Sequence, residues 1–218
     1  MLVLAIDTSS AAVSAAVVSV DDHVRVVAQR VTVDARAHGE LLAPLIDACL
    51  RQAGAAPQDL DAIVAGVGPG PFTGLRVGLV TAAAMADALG VLAYGVCSLD
   101  AIAGAVEADS LLVATDARRR EVYWARYAGG VRVDGPGVSR PAELSTVDSQ
   151  AMTGAGARMY TGVLGLPLLD VDYPDLAALV RVAASRVVAL APGDALTPLY
   201  LRRPDAVVPG TAKAVTQR

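Results

Sequence analysis

Three segments of this chain carry residues that could do chemistry. The first is Ala5-Ile6-Asp7-Thr8-Ser9, an aspartate at the end of an apolar run followed by small hydroxyl side chains. A carboxylate so placed can hold a metal-bound phosphate; the commoner role of the same residues is a turn aspartate that closes a hairpin. The second is Gly66-Val67-Gly68-Pro69-Gly70-Pro71-Phe72-Thr73-Gly74-Leu75-Arg76. Glycines permit tight turns, and the N–H groups at the start of the following helix can receive an anion. The segment lacks the Gly-Lys-Ser/Thr ending of a P-loop and is not a dinucleotide fingerprint. A rigid loop whose prolines restrict the backbone is the plainer reading, with Thr73 as helix N-cap in either case. The candidate nucleotide or phosphate contacts are therefore Asp7, Gly68, Gly70, Thr73 and Arg76. Arg76 lies one turn into a helix, against the preference of the helix dipole for anions there. A neighbouring carboxylate or phosphate would explain it, as would simple solvation.

The third segment is the helix itself. Gly78, Ala82 and Ala86 recur at steps of four and leave one stripe almost free of side chains. Such a stripe lets another helix approach closely. Residues 38–53 add a leucine-rich face, giving more apolar helix surface than one sheet face needs. An interface between subunits is expected on Leu41, Leu42, Leu45, Cys49, Leu75, Gly78, Leu79, Ala82, Met85 and Ala86. What is missing narrows the chemistry further. The only histidines are His23 and His38, and the only cysteines Cys49 and Cys97. Neither pair has metal-ligand spacing, so no zinc or iron site is expected, and His38 is read as structural. There is no Gly-x-Ser-x-Gly nucleophile motif.

These segments must be held by a mixed α/β framework. Residues 2–6, 11–20 and 24–33 read as strand, turn, strand, turn, strand, an antiparallel meander. A helix is predicted over 38–53, with Pro44 near its first turn and Gly54 as its stop. Strands at 61–67 and 91–96 flank an Ala-rich helix over 73–89. Ser98 is read as the N-cap of a further helix, and 111–115 as a strand ending at Asp116. Residues 121–127 and 131–138 form a hairpin around Gly129-Gly130. Residues 139–170 read as loop-rich, 176–190 as helix, and the tail from Pro204 as frayed. No sequence repeat is visible.

Composition bounds the class. The chain has 218 residues, 54% hydrophobic and 18% charged, with a formal charge of −4, a pI near 5.1 and a mean hydropathy of +0.49. Disorder is excluded, and no basic stripe marks a general nucleic-acid binder. Of the 18 basic residues all but Lys213 are arginine, which in an Ala- and Val-rich chain reads as codon bias. The longest uncharged stretch, Ala62 to Leu75, contains two prolines and falls short of the roughly 20 residues of a membrane span. The opening MLVLAID lacks a basic start, so no secretory leader is expected. Two isolated cysteines suit a reducing cytoplasm.

IDTSS, HGELLAPLID, GPGPFTGLRVG, YGVCSLDAIA, TDARRREVYWARY and PLYLR together resemble the TsaB (YeaZ) family, from residue 2 to about residue 203. The glycine-rich segment is specific and the others persuade collectively. The family usually has serine where this chain has Pro71, which removes a hydroxyl and stiffens the loop. The resemblance implies an α/β, actin-like/ribonuclease-H-like (ASKHA) fold of two related lobes, the second degenerate, here divided as 1–103 and 104–218. It implies a non-catalytic scaffold that pairs through a helix bundle with a catalytic TsaD-like subunit, with a TsaE-like ATPase acting on the pair. The product is N6-threonylcarbamoyladenosine at position 37 of tRNAs reading ANN codons. TsaD carries a His-x-x-x-His metal motif on a helix whose matching positions here are Ser98 and Ile102. No metal, cofactor or catalytic residue is therefore expected in this chain, the complex supplies the ATP chemistry, and tRNA is met through the complex. Monomer and homodimer both stay open for the isolated chain. The alternative is an independent actin-like-superfamily ATP-binding enzyme, using Asp7 and Asp116 on a metal-phosphate and Gly68 and Gly70 at the phosphate. Nothing supports peptidase chemistry.

Overall fold

The computed structural model describes residues 1–202. Five strands build the first sheet: β1 (Leu2–Asp7), β2 (Ala12–Val20), β3 (Val24–Val33), β4 (Ala62–Gly66) and β5 (Leu92–Val96). Their order is β3-β2-β1-β4-β5. The first three are antiparallel, whereas β4 and β5 run parallel to β1. This is the ribonuclease-H-like sheet of the actin-like fold. Helices α1 (His38–Ala53) and α2 (Phe72–Leu89) supply the crossovers. Both faces of the central strands are buried, so β1 and β4 read as short apolar runs rather than alternating ones. Leu4, Ile6, Ile63 and Ala65 face the core under α1 and α2. Val3, Ala5, Ala62 and Val64 face the opposite core.

The second sheet repeats the plan. Strands β6 (Ser110–Asp116), β7 (Val122–Ala128), β8 (Val131–Ser139) and β9 (Ala151–Thr153) lie in the order β8-β7-β6-β9. A lone parallel bridge from Met152 to Leu168 stands where a fifth strand would be. The position of α1 is taken by a 3-10 turn at Pro141–Glu143, and that of α2 by the short α4 (Ala155–Met159) and α5 (Thr161–Leu164). The second lobe is thus the same topology with its crossovers shrunk, a repeat that backbone shape keeps and sequence does not.

The two lobes exchange helices. Helix α3 (Ser98–Ala103) packs Leu99 and Ile102 against Leu111 and Val113 of the second sheet. Helix α6 (Leu176–Val188) returns Leu176, Leu179, Val180 and Ala183 to the first sheet. Asp175 caps α6 by accepting the Ala178 N–H at 2.7 Å. The chain then crosses β5 as a strap: Asp194 N–H donates to the Ala93 carbonyl and Leu199 N–H to that of Val67, both at 2.8 Å. Helix α2 is long and apolar enough to cross a membrane by length and composition, but it lays Leu75, Leu79, Ala82 and Ala86 into the first core.

Three local expectations change. Pro71, not Thr73, is the N-cap of α2, in an extended conformation that places Phe72 as the first helical residue. Cys97, not Ser98, precedes α3, because the Ser98 hydroxyl is turned toward Asp7. Pro44 lies inside α1, past its first turn. It and Glu40, whose carbonyl loses its N–H partner, are both exposed, so water can take that carbonyl. The tail from Pro204 lies outside the described residues.

Candidate functional site

The end of β1 meets the glycine-rich loop and the start of α3 at one carboxylate. Asp7 is 1% exposed. Its Oδ1 accepts from Ser9 N–H at 2.9 Å and from the Ser9 hydroxyl at 2.8 Å. Its Oδ2 accepts from the Ser98 hydroxyl at 2.6 Å. Ser98 is stitched in turn to the loop: its Oγ accepts from Gly68 N–H at 3.2 Å and its N–H donates to the Gly68 carbonyl at 2.7 Å. Asp7 is therefore a buried junction with both oxygens occupied by the chain's own donors.

Burial pushes the Asp7 carboxyl above its ordinary value of 3.8, and the hydrogen bonds from Ser98 and Ser9 only partly oppose it. A raised folded-state pKa means that the native protein binds more protons than the unfolded chain above pH 3.8. This contribution to stability is present at low pH and is lost as pH rises toward the folded value. Asp7→Asn removes the titration. The stability of the wild type relative to Asp7→Asn is expected to fall with rising pH above 3.8, by at most about 1.4 kcal/mol per pH unit, and then to level off. Urea midpoints of the two proteins across that range check this; parallel curves would refute it.

Thr8 enters helix α2. Its hydroxyl donates to the Gly74 carbonyl at 2.8 Å and accepts from Gly78 N–H at 3.0 Å, spanning one rung of the helical ladder. A Cβ on Gly78 would stand 2.3 Å from that hydroxyl, and one on Gly70 would stand 2.1 Å from the Ser9 carbonyl oxygen. The His38 Nε2–H donates to the Ser10 carbonyl at 2.8 Å, so His38 is a structural clamp on the same turn. The small residues of α2 thus serve the chain's own first strand.

The expected interface residues divide accordingly. Leu42, Cys49, Leu75, Gly78, Leu79, Ala82 and Ala86 are buried in this chain's own first core or against Thr8. As folded, their side chains are out of a partner's reach, which corrects the expectation. Leu41, Leu45 and Met85 are half-buried at the edge of that core. The outward face of α2 carries Thr73, Arg76, Val80, Ala83, Ala84 and Asp87 instead, with Val80 66% exposed.

The phosphate candidates are not brought together. Asp7 is spent, and Gly68 and Gly70 are buried under neighbouring groups. Arg76 is exposed but engaged within the chain. Its Nε–H donates to the Tyr200 hydroxyl at 2.8 Å. Its guanidinium lies 5.9 Å from the Phe72 ring centre and 5.6 Å from that of Tyr200, and the two rings are 4.7 Å apart. The Phe72–Arg76 turn and the late PLYLR segment therefore clasp each other and fix the end of the strap. Arg76→Ala and Tyr200→Ala are each expected to destabilise by about 1 kcal/mol and to be strongly non-additive together. Additive losses in a double-mutant cycle would show that the clasp carries no energy.

Thr73 alone among the five lines the open cleft between the lobes, a cavity of about 480 Å³. Ser10, Arg36, Thr115, Asp116, Arg118 and Tyr173 line it too. Of these, sequence reading marked Asp116 from its place at a strand end, and Ser10, Thr115 and Arg118 fall in the quoted IDTSS and TDARRREVYWARY segments without having been given a role; Arg36 and Tyr173 come from positions remote in sequence and had no motif to announce them. Asp116 accepts the Arg118 N–H at 2.8 Å and sits 3.4 Å from its guanidinium. Among the described residues no cluster of three or more His, Cys, Asp or Glu side chains could hold a metal ion. Ser98 and Ile102 are buried, the first bonded to Asp7 and the second packed in the second-lobe core. The residues present do not fit a metal-phosphate held by Asp7.

Comparison with known proteins bears on this arrangement. The sequence pattern of the TsaD family, tRNA N6-adenosine threonylcarbamoyltransferase, matches residues 25–160, more than half of the chain. An uncharacterized protein of Mycobacterium leprae is 51% identical over 206 residues, which are 94% of this chain and 56% of that protein. The tRNA threonylcarbamoyladenosine biosynthesis protein TsaB of Bacillus subtilis is 34% identical over 129 residues, 58% of this chain and 55% of that protein. The chain thus spans about half the length of these relatives. The structure of YeaZ from Pseudomonas aeruginosa superposes with a TM-score of 0.78 at 26% identity, covering 92% of this chain and 99% of that one. The fold and these likenesses agree: the chain belongs to the TsaD family, in its TsaB (YeaZ) group.

Proposed function

We propose that this chain is a non-catalytic subunit of the assembly that forms N6-threonylcarbamoyladenosine at position 37 of tRNAs reading ANN codons. It pairs with a TsaD-like catalytic subunit, and a TsaE-like ATPase acts on the pair. One observation carries the reading. The position where an actin-like enzyme needs an available carboxylate holds Asp7, both of whose oxygens are taken by Ser9 and Ser98. Ser98 and Ile102 moreover replace the two histidines of the catalytic relative with a hydrogen-bond donor and a core side chain. The chain's own groups then position a helix pair for a partner and transfer nothing themselves.

The docking surface we assign is the outward face of α2 around Val80, continued by the half-buried Leu41, Leu45 and Met85. ATP is used by the assembly rather than held by this chain. The deciding experiment is reconstitution of threonylcarbamoyl transfer from its adenylate to tRNA, with the TsaD-like and TsaE-like subunits, with and without this chain. We expect co-purification with the TsaD-like subunit and at least tenfold less product when this chain is omitted. Turnover by this chain alone, or undiminished product without it, would refute the proposal. Stoichiometric ATP binding by the isolated chain would favour an independent actin-like enzyme working in the cleft between the lobes.

A further inference from the structure

The turn between β6 and β7 holds three consecutive arginines, Arg118, Arg119 and Arg120, with φ of 63°, 52° and 63°. All three are exposed. Left-handed backbone is uphill for any residue with a Cβ, and a run of three persists only where the surroundings dictate it. Here they do. Asp116 accepts the Arg118 N–H at 2.8 Å. Ala117 N–H donates to the Glu121 carbonyl at 3.0 Å and Glu121 N–H to that of Arg118 at 2.9 Å. From the strap, Arg202 donates to the Ala117 carbonyl at 3.0 Å. The turn is a braced platform, so little backbone freedom remains to be lost when its guanidinium groups are engaged.

The carboxylates around this platform already have arginine partners. Asp116 faces Arg118, Glu121 faces Arg202, and Asp170 and Asp172 are both held by Arg158. Among the described residues no ion pair ends on Arg120, nor on Arg36, which lines the same cleft as Arg118 from the other lobe. Arg118 and Arg36 therefore stand on the two rims of a groove about 480 Å³ in volume, whose lining also carries Asp116 and Asp172, and Arg120 lies on the same turn as Arg118. Charges spaced across a groove suit a chain of phosphodiesters better than a single carboxylate, and guanidinium forks match phosphate oxygens. We infer that the Arg118–Arg120 turn, together with Arg36, is a contact surface for an RNA backbone. The net charge of −4 makes this a local contact rather than long-range steering. The inference rests on the function proposed above, which gives the assembly an RNA substrate.

The test uses the complex of this chain with its TsaD-like subunit, and a labelled, unmodified tRNA transcript titrated at several salt concentrations. The variant is Arg36→Gln/Arg120→Gln, which disturbs no internal ion pair. We expect roughly tenfold or greater loss of tRNA affinity near physiological salt. The slope of log affinity against log salt should fall by about 2, one for each lost phosphate contact. Arg36→Lys/Arg120→Lys should keep most of both. Arg120→Gly, which relieves the left-handed backbone, should raise the melting temperature and still weaken tRNA binding. If affinity and slope are unchanged in the glutamine variant, or only the melting temperature moves in Arg120→Gly, the RNA surface is refuted. It is refuted equally if the glutamine variant loses the ATPase while keeping tRNA. Restoration of the modification in depleted cells separates the two ideas. A wild-type chain that fails to restore it refutes the function, whereas a glutamine variant that restores it with unchanged tRNA affinity refutes only this surface.

Discussion

Ala82→Glu is expected to abolish folding, whereas Val80→Glu, two residues away on the same helix, leaves the fold intact and disrupts pairing with the TsaD-like subunit. Ala82 is 0% exposed and packed in the first core with Leu4, Ile6 and Leu79. A glutamate there adds four heavy atoms to a filled space and buries a carboxylate that has no partner. Each effect alone is worth about 2 kcal/mol or more, and together they approach the whole stability of a typical domain. Val80 is 66% exposed and supports no core. A carboxylate at that site stays solvated in the free chain and must be desolvated in a helix-to-helix contact, which weakens association by about tenfold to a thousandfold. Circular dichroism separates the two variants, and gel filtration with the partner reads the second. A folded Ala82→Glu would mean that α2 does not pack as described. A folded Val80→Glu with unchanged affinity would move the interface elsewhere.

That contrast shows where sequence was legible and where it was not. Strands β1 and β4 announce themselves as short apolar runs because both faces are buried, and helix α1 because burial of one face leaves a helical period. The actin-like order is what the family resemblance implies, and three antiparallel strands ahead of two crossovers agree with it. The small-residue stripe of α2 is a different case. Steps of four say only that something comes close; another subunit's helix and the chain's own Thr8 produce the same spacing. Gly74 and Gly78 make room for Thr8, and Ala82 and Ala86 for the sheet beneath. Asp7 was likewise visible as a residue but not as a junction, since its partner Ser98 is remote in sequence and reads locally as a helix cap. The exchange of α3 and α6 between lobes, and the single bridge at Leu168 that stands for a fifth strand, depend on pairings that no local pattern encodes. The cleft is assembled the same way, with Arg36 from the β3–α1 loop and Tyr173 from just before α6 meeting only in three dimensions.

Two glycines of the specific motif should fail differently when given a Cβ. On Gly78 the obstacle is the Thr8 hydroxyl, 2.3 Å from the added carbon. Removing that hydroxyl makes room, and alanine is the better helix former by about 1 kcal/mol. Gly78→Ala should therefore destabilise by about 1–3 kcal/mol, and Thr8→Ala in the same molecule should recover most of it, because the freed Gly74 carbonyl and residue 78 N–H can close their own helical rung. On Gly70 the obstacles are the Ser9 carbonyl oxygen at 2.1 Å, its carbon at 2.8 Å and the Ser9 Cα at 2.9 Å. All are backbone, so no change at Ser9 can clear them. The turn that follows Asp7 must move, which breaks the bonds from Ser9 to Asp7 and loosens the Gly68–Ser98 stitch. Leaving that buried carboxylate without its donors costs several kcal/mol, so Gly70→Ala should yield little folded protein, with or without Ser9→Gly. Chemical denaturation of the four variants decides the matter. Rescue of Gly70→Ala by Ser9→Gly, or failure of Thr8→Ala to rescue Gly78→Ala, would show that the first strand and the glycine-rich loop do not dock through these two contacts.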